Sequence, residues 1–190
     1  MAGNSLTIDV SREAKKLFPE FSVCGVKVLD YNKAVSKLDY HDLQTLVDRL
    51  KNTEQRPELR KSWRFAFGAM GLKPSKFPSS VEALAKRAAK GEECWRTAIP
   101  AVDFYNAISV RHFAPIGGYD IDKFDMKNIS IRPIWRDCDK FSPIGGHADI
   151  AKGNRNLLVY ACGNEILCWA LNHRDSKLFC LDDETVNARS

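Results

Sequence analysis

The chain has 190 residues, of which 44% are hydrophobic and 28% charged, a balance that fits neither a disordered nor a fibrous class. A domain of this size buries enough surface to fold without disulfides or a structural metal. Net charge is +5, and the absence of any uncharged apolar run of about 18 residues excludes a membrane span.

Met1–Ser5 carry no basic stretch leading into an apolar one, so no secretory signal is expected, and a cytoplasmic setting follows. Leu6–Val10 alternates apolar and polar residues and predicts a strand. Arg12–Phe18 predicts a short helix stopped before Pro19, and Phe21–Leu29, with Val23, Val26 and Val28, a second strand. Leu43, Leu46, Val47 and Leu50 recur at helical spacing over His41–Leu50. Pro57 suits the first turn of another helix, with Leu59, Trp63, Phe67 and Met70 as its core-facing stripe. Ser79 followed by Glu82 has the spacing of a capping box, opening a helix through Val81, Leu84, Ala85 and Ala88 that stops near Gly91.

A further helix is expected over Val102–Phe113, ending before Pro115. The remainder reads as β: Ile129–Trp135, Leu157–Cys162, Ile166–Leu171 and Leu178–Leu181, with Gly163-Asn164 as a hairpin turn. No composition break marks a linker, so one α+β unit over 1–190 is expected, with helices in its first two-thirds. Pro-Ile-Gly-Gly occurs at 115–118 and at 143–146, but the flanks differ, so this is no structural repeat.

Charge is unevenly placed. Residues 1–48 carry 6 basic and 7 acidic groups, residues 49–96 carry 12 and 5, and residues 97–190 carry 11 and 12. The basic quarter includes Arg60, Lys61, Arg64, Lys86, Arg87 and Lys90, a concentration that attracts phosphate backbones and equally suits a solvated helical face. Of the six cysteines, Cys24, Cys94, Cys138, Cys162, Cys168 and Cys180, no two share the tight spacing of a zinc knuckle. They read as reduced packing residues, and no metal or cofactor is expected.

Neither Gly-Gly pair continues into a phosphate loop, and no Gly-x-Ser-x-Gly elbow or His-x-x-x-His pair is present. What remains is a polar row on one helix, Asp103, Asn106 and Ser109, leading to Pro115-Ile116-Gly117-Gly118-Tyr119-Asp120. Such a row lines a small polar pocket or forms a buried network that fixes packing.

Trp63-Arg64, Ser79–Leu84, Val102–Asn106 and Pro115–Asp122, in that order and spacing, resemble the tRNA-editing domain of the bacterial phenylalanyl-tRNA synthetase beta subunit. The similarity is greatest to freestanding proteins built from that domain alone. Cys168–Asp175 is similar to a C-terminal signature of those forms, so the resemblance covers roughly residues 60–185 and leaves 1–50 as an extension without an assigned motif. The resemblance implies a compact three-layer β/β/α arrangement and hydrolysis of the ester joining a wrong amino acid to a tRNA 3′ end. It places Asn106 at a pocket asparagine, and Gly117 where the synthetase has a histidine, which implies a different amino acid from the synthetase's tyrosine.

The expected reading is therefore a trans-acting aminoacyl-tRNA deacylase. Asn106, Ser109 and Asp120 are its candidate catalytic residues, and Gly117, Gly118, Tyr119, Asn172 and His173 line its pocket. Arg60, Lys61, Arg64, Lys86, Arg87 and Lys90 grip the tRNA acceptor end. A non-catalytic tRNA-binding or interaction module of the same fold is the first alternative. A hydrolase of a small ester or amide is the second.

Overall fold

The computed structural model describes residues 7–35, 57–90, 95–123, 128–134, 137–145, 156–182, 184–185 and 188–189. In chain order these hold β1 (Thr7–Val10), α1 (Arg12–Leu17), β2 (Lys27–Val28), α2 (Tyr31–Val35), α3 (Pro57–Ala69), α4 (Ser80–Ala88) and α5 (Pro100–His112). There follow β3 (Tyr119–Asp120), a 3-10 turn (Ile121–Lys123), β4 (Asn128–Pro133), β5 (Leu158–Cys162), β6 (Glu165–Trp169), β7 (Arg174–Asp175) and β8 (Ala188–Arg189).

The main sheet has the order β1-β4-β5-β6-β7 and is mixed, since β1 runs parallel to β4 and the other pairs are antiparallel. A small antiparallel sheet has the order β2-β8-β3. Ser11 separates β1 from α1: its Oγ accepts the Ala14 amide at 3.1 Å while its own amide donates to Ile131 of β4 at 2.9 Å. Nearly every residue of β5 and β6 is buried, so the sheet is covered on both faces. One cluster joins Phe67, Met70 and Leu72, at the end of α3, to Ile131, Val159, Ile166 and Trp169. Another joins Tyr119, Ile129, Leu167, Cys168 and Phe179. A bulge between β5 and β6 pairs Tyr160 with Cys168 and Ala161 with Ile166, skipping Leu167. The inserted residue shifts the alternation of β6, so that Leu167 and Cys168 share one cluster.

The helices form where patterning and caps place them. Ser79 caps α4, its Oγ accepting the Glu82 amide at 3.3 Å. The Glu82 carboxylate departs from the expected capping box: it is buried and faces Arg64 of α3, at 2.5 and 3.2 Å, with Lys86 at 3.3 Å. This ion pair ties α3 to α4. Leu84 and Ala88 of α4 then pack on Ala107 of α5.

Three expected strands change. Of Phe21–Leu29 only Lys27–Val28 pairs, and residues 21–26 have no partner strand among the described residues. Leu178–Leu181 forms a turn with a single bridge from Cys180 to Tyr119. β6 stops at Trp169, and Ala170 and Leu171 begin a turn instead. The helix expected over His41–Leu50 lies outside the described residues, as do Cys94, Gly91, Trp135 and the second glycine at 146. Among the described residues no helix is long and apolar enough to cross a membrane.

One buried ion pair locks the end of β4. The Arg132 guanidinium donates to both oxygens of Asp139, at 2.8 and 2.7 Å, and to the Gly163 carbonyl of the β5–β6 turn at 3.1 Å. Removing the carboxylate leaves a buried guanidinium without its counter-charge, a change that costs several kcal/mol. Asp139→Ala is therefore expected to lose about 3 kcal/mol of unfolding free energy in urea titrations. A loss below about 1 kcal/mol would show that the pair is not a fastening of the sheet.

Candidate functional site

A cavity of about 460 Å³ opens beside the main sheet. Ile8, Ile129 and Ile131 of the strands, Trp63 of α3 and Leu171 give it apolar walls. The unpaired segment 21–26, from Phe21 to Val26, forms a further wall. Its polar lining comes from Ser80, Tyr119, Tyr160, Cys168, Asn172 and Asp175. An apolar enclosure with a few convergent polar groups is the usual form of a small-molecule site.

The turn after β6 shapes the polar end. Ala170 and Leu171 both adopt left-handed backbone, with φ of 54° and 63°, a conformation that side chains disfavour. Two such residues in succession store strain, which the surrounding structure must offset. They direct Asn172 against the start of α4, where the Ser80 amide donates to Asn172 Oδ1 at 3.0 Å and to its carbonyl at 3.1 Å. His173 completes the tie, its Nδ1 donating to the Pro78 carbonyl at 2.8 Å. The His173 ring packs edge-on against Phe67, Phe77 and Trp169, and burial pushes its pKa down, so the neutral ring is favoured. Two donors remain over: Ser80 Oγ and Asn172 Nδ2 are buried and have no hydrogen-bond partner among the described residues.

Asp175 is the acidic member of the lining. The Tyr119 hydroxyl donates to its Oδ1 at 2.9 Å, and the Cys168 thiol, whose Sγ donates to the Trp169 carbonyl at 3.8 Å, lies near the same carboxylate. Burial pushes the Asp175 carboxyl above the usual carboxylate range, against the pull of those two groups. Burial likewise raises the Tyr119 hydroxyl and the Cys168 thiol, and the nearby Asp175 charge adds to both shifts. The Tyr119 hydroxyl and the Cys168 thiol therefore keep their protons, and the hydroxyl serves as the donor to Asp175.

Of the residues expected in a pocket, Gly117, Tyr119 and Asn172 line the cavity. A Cβ at Gly117 would lie 3.4 Å from Tyr119 Oη and 3.9 Å from Asp175 Oδ1, so a longer side chain there would enter the polar end. Gly118 and His173 lie outside the lining. Gly118 is required for packing, since a Cβ there would come within 2.8 Å of the Tyr105 ring and 3.1 Å of Leu181.

The three candidate catalytic residues also lie outside the lining. Ser109 is buried and donates to the Ala114 carbonyl at 2.6 Å, holding the exit of α5. Asp120 accepts the Asp122 amide and the Thr185 hydroxyl, both at 3.0 Å, and faces Lys123 at 3.6 Å. Asn106 is half-buried on α5. Asp103, which begins the same polar row, accepts from the Thr97 amide and hydroxyl at 2.6 and 2.9 Å. At Asp103 and Ser109, then, the row fixes the two ends of α5.

The basic candidates share α3, α4 and the turn that follows. Lys61, Arg87 and Lys90 are exposed, whereas Arg64 and Lys86 face Glu82. Arg60 is half-buried, its Nε without a partner among the described residues. The sequence left Ser80, Asp175, Cys168 and the wall 21–26 unassigned to a pocket. A serine directly after the capping Ser79, ahead of a helix, was the available signal for the first.

A family model described as the B3/4 domain matches residues 62–188. No curated protein and no solved structure matches the chain.

The raised pKa of Asp175 carries a stability consequence. A carboxyl raised by burial subtracts stability where it is ionised, and the deficit closes as pH falls through its folded pKa. Asp175→Asn, which keeps an acceptor for Tyr119, is expected to unfold at higher urea concentration than the parent at pH 7.5. That advantage should shrink progressively as pH falls toward the usual carboxylate range. A variant less stable than the parent at pH 7.5 would contradict the burial argument.

Proposed function

Because the chain belongs to the B3/4 domain family, the domain found in the phenylalanyl-tRNA synthetase beta subunit, we propose that its cavity receives the aminoacyl end of a charged tRNA and hydrolyses the ester. The observation that carries this reading is the pair of unpartnered donors, Ser80 Oγ and Asn172 Nδ2, in residues that line an apolar-walled cavity at the first turn of a helix. An unpaired buried donor costs about 1–3 kcal/mol, which a ligand oxygen accepting from both would recover.

An aminoacyl ester is already activated, so the protein needs chiefly to place the carbonyl and admit a water. Ser80 Oγ and Asn172 Nδ2 donate to the carbonyl oxygen as it gains charge, helped by the positive end of the α4 dipole. Water adds to the carbonyl carbon and releases a proton. The ribose hydroxyl beside the ester relays a proton to the departing ribose oxygen, leaving free amino acid and uncharged tRNA. The apolar walls hold the amino-acid side chain, and segment 21–26, which lies outside the matched residues, takes part in choosing it.

Trp63 and Ser80 of the lining stand on the same two helices as the basic surface. Lys61, Arg87 and Lys90, exposed and not tied to Glu82, would hold the acceptor phosphates in a cytoplasmic setting where charged tRNA occurs. On this reading residues 1–190 act as one editing-like unit in the three-layer arrangement of the family domain. Arg64 serves the fold as much as the tRNA, because it neutralises buried Glu82.

Single-turnover deacylation of a panel of misacylated tRNAs tests the chemistry. Asn172→Ala is expected to slow release roughly 30- to 1000-fold, the usual effect of losing one donor to a developing oxyanion. Asn106→Ala, off the lining, is expected to stay within about threefold of the parent rate. A reversed pattern would return the chemistry to α5. If the parent binds tRNA and releases nothing from any member of the panel, the non-catalytic binding module stands instead.

Binding is tested separately. Reversing Lys61, Arg87 and Lys90 to Glu is expected to lower tRNA affinity and flatten its dependence on salt, with the fold intact by circular dichroism. Unchanged affinity and salt slope would remove this face from the tRNA contact.

A further inference from the structure

Asp175 presents a charge problem that the fold leaves open. Its carboxylate accepts from the Tyr119 hydroxyl, a neutral donor, and lies near the Cys168 thiol. Among the described residues it forms no ion pair with a lysine, arginine or histidine. A half-buried carboxylate held by a neutral donor gains from a cation that a ligand brings. A metal ion is a poor candidate, since no cluster of three or more His, Cys, Asp or Glu side chains able to hold one occurs among the described residues. The approach to the carboxylate is kept open by Gly117, where even a Cβ would lie 3.9 Å from Asp175 Oδ1. The two unpartnered donors lie close along the chain, since Asn172 precedes Asp175 by three residues and binds the Ser80 amide. An aminoacyl group carries both complements, a cationic amine and, one carbon away, a carbonyl that accepts hydrogen bonds.

Building on the deacylase reading, we propose that Asp175 anchors the substrate's α-ammonium group. The cavity then takes aminoacyl groups with a free amine and an apolar side chain, and rejects those with an acylated amine. The ammonium displaces nothing covalent: it donates to Asp175 while the Tyr119 hydroxyl holds the carboxylate in place. An N-acyl group removes the positive charge and adds bulk at the Gly117 opening. Asp175 is in this sense a substrate-binding residue that sets which charged tRNAs enter the chemistry.

The test uses the full chain and two probes, leucinamide and N-acetyl-leucinamide, titrated by calorimetry or amide chemical shifts. The parent is expected to bind leucinamide roughly tenfold or more tightly than its N-acetyl form, the size of effect an ion pair supplies. Asp175→Asn is expected to lose that preference, with folding checked by circular dichroism. Gly117→Val, with Asp175 intact, is expected to weaken leucinamide binding by obstruction. Equal binding of both probes by the parent, no binding of leucinamide, or a full preference retained in Asp175→Asn would each overturn the anchor. Deacylation separates this from the underlying reading. Hydrolysis of free and N-acetylated leucyl-tRNA at equal rates overturns the anchor and keeps the deacylase. Amine preference without release from any charged tRNA keeps the anchor and overturns the deacylase.

Discussion

Everything at the site depends on how the turn at 170–173 is fastened to the first turn of α4. Asn172 accepts the Ser80 amide through both its side chain and its backbone, and His173 donates to the Pro78 carbonyl. Helix-start amides have no partner within their own helix, so this tie gives a helix layer a fixed address on the sheet. It also absorbs the strain of two successive left-handed residues, Ala170 and Leu171. Aromatic packing of His173 against Phe67, Phe77 and Trp169 roots the same turn in the core. The cavity follows from that fastening, because its polar end is what lies between the turn, α4 and β7.

The groups in this polar end are ones a fold built for stability alone would avoid. Among the described residues, Ser80 Oγ and Asn172 Nδ2 are buried without acceptors, and half-buried Asp175 has no ion-pair partner. Each weakens the protein by itself, and on the proposed reading each meets one part of an aminoacyl ester. Several structural polar groups elsewhere are satisfied: Asp103 holds the start of α5, Ser109 its end, Asp120 the turn at Thr185, and Arg132 is paired with Asp139. Arg60 Nε, Trp95 Nε1 and Trp169 Nε1 are also without partners among the described residues, so the candidate site is set apart by having two such donors and a carboxylate in residues of one cavity lining.

Much of the scaffold was legible because its signals are local. The Ser79 cap, the stripe Leu59–Trp63–Phe67–Met70 and the Gly163-Asn164 turn each act within a few residues, and each formed as the pattern requires. The site was less legible because it is assembled across the chain. Valines at 23, 26 and 28 have strand character, but that character expresses fit to a half-buried surface, and a cavity wall supplies one without a pairing partner. The polar row on α5 has the right residue types at helical spacing, yet spacing cannot say whether a carboxylate meets a ligand or a nearby amide. Asp175 gave no local sign of its surroundings, which include Tyr119 and Cys168, 56 and 7 residues away. Gly117, Tyr119 and Asn172 were placed in a pocket by resemblance, and the cavity gathers these three.

The most direct measurement is the structure of the full chain with a non-hydrolysable 3′-aminoacylamino-adenosine carrying an apolar side chain. The account predicts the acyl carbonyl oxygen within hydrogen-bond distance of Ser80 Oγ and Asn172 Nδ2, the amine on Asp175, and the side chain between Trp63 and segment 21–26. An analogue seated against Asn106 on α5, with the cavity empty, would contradict it.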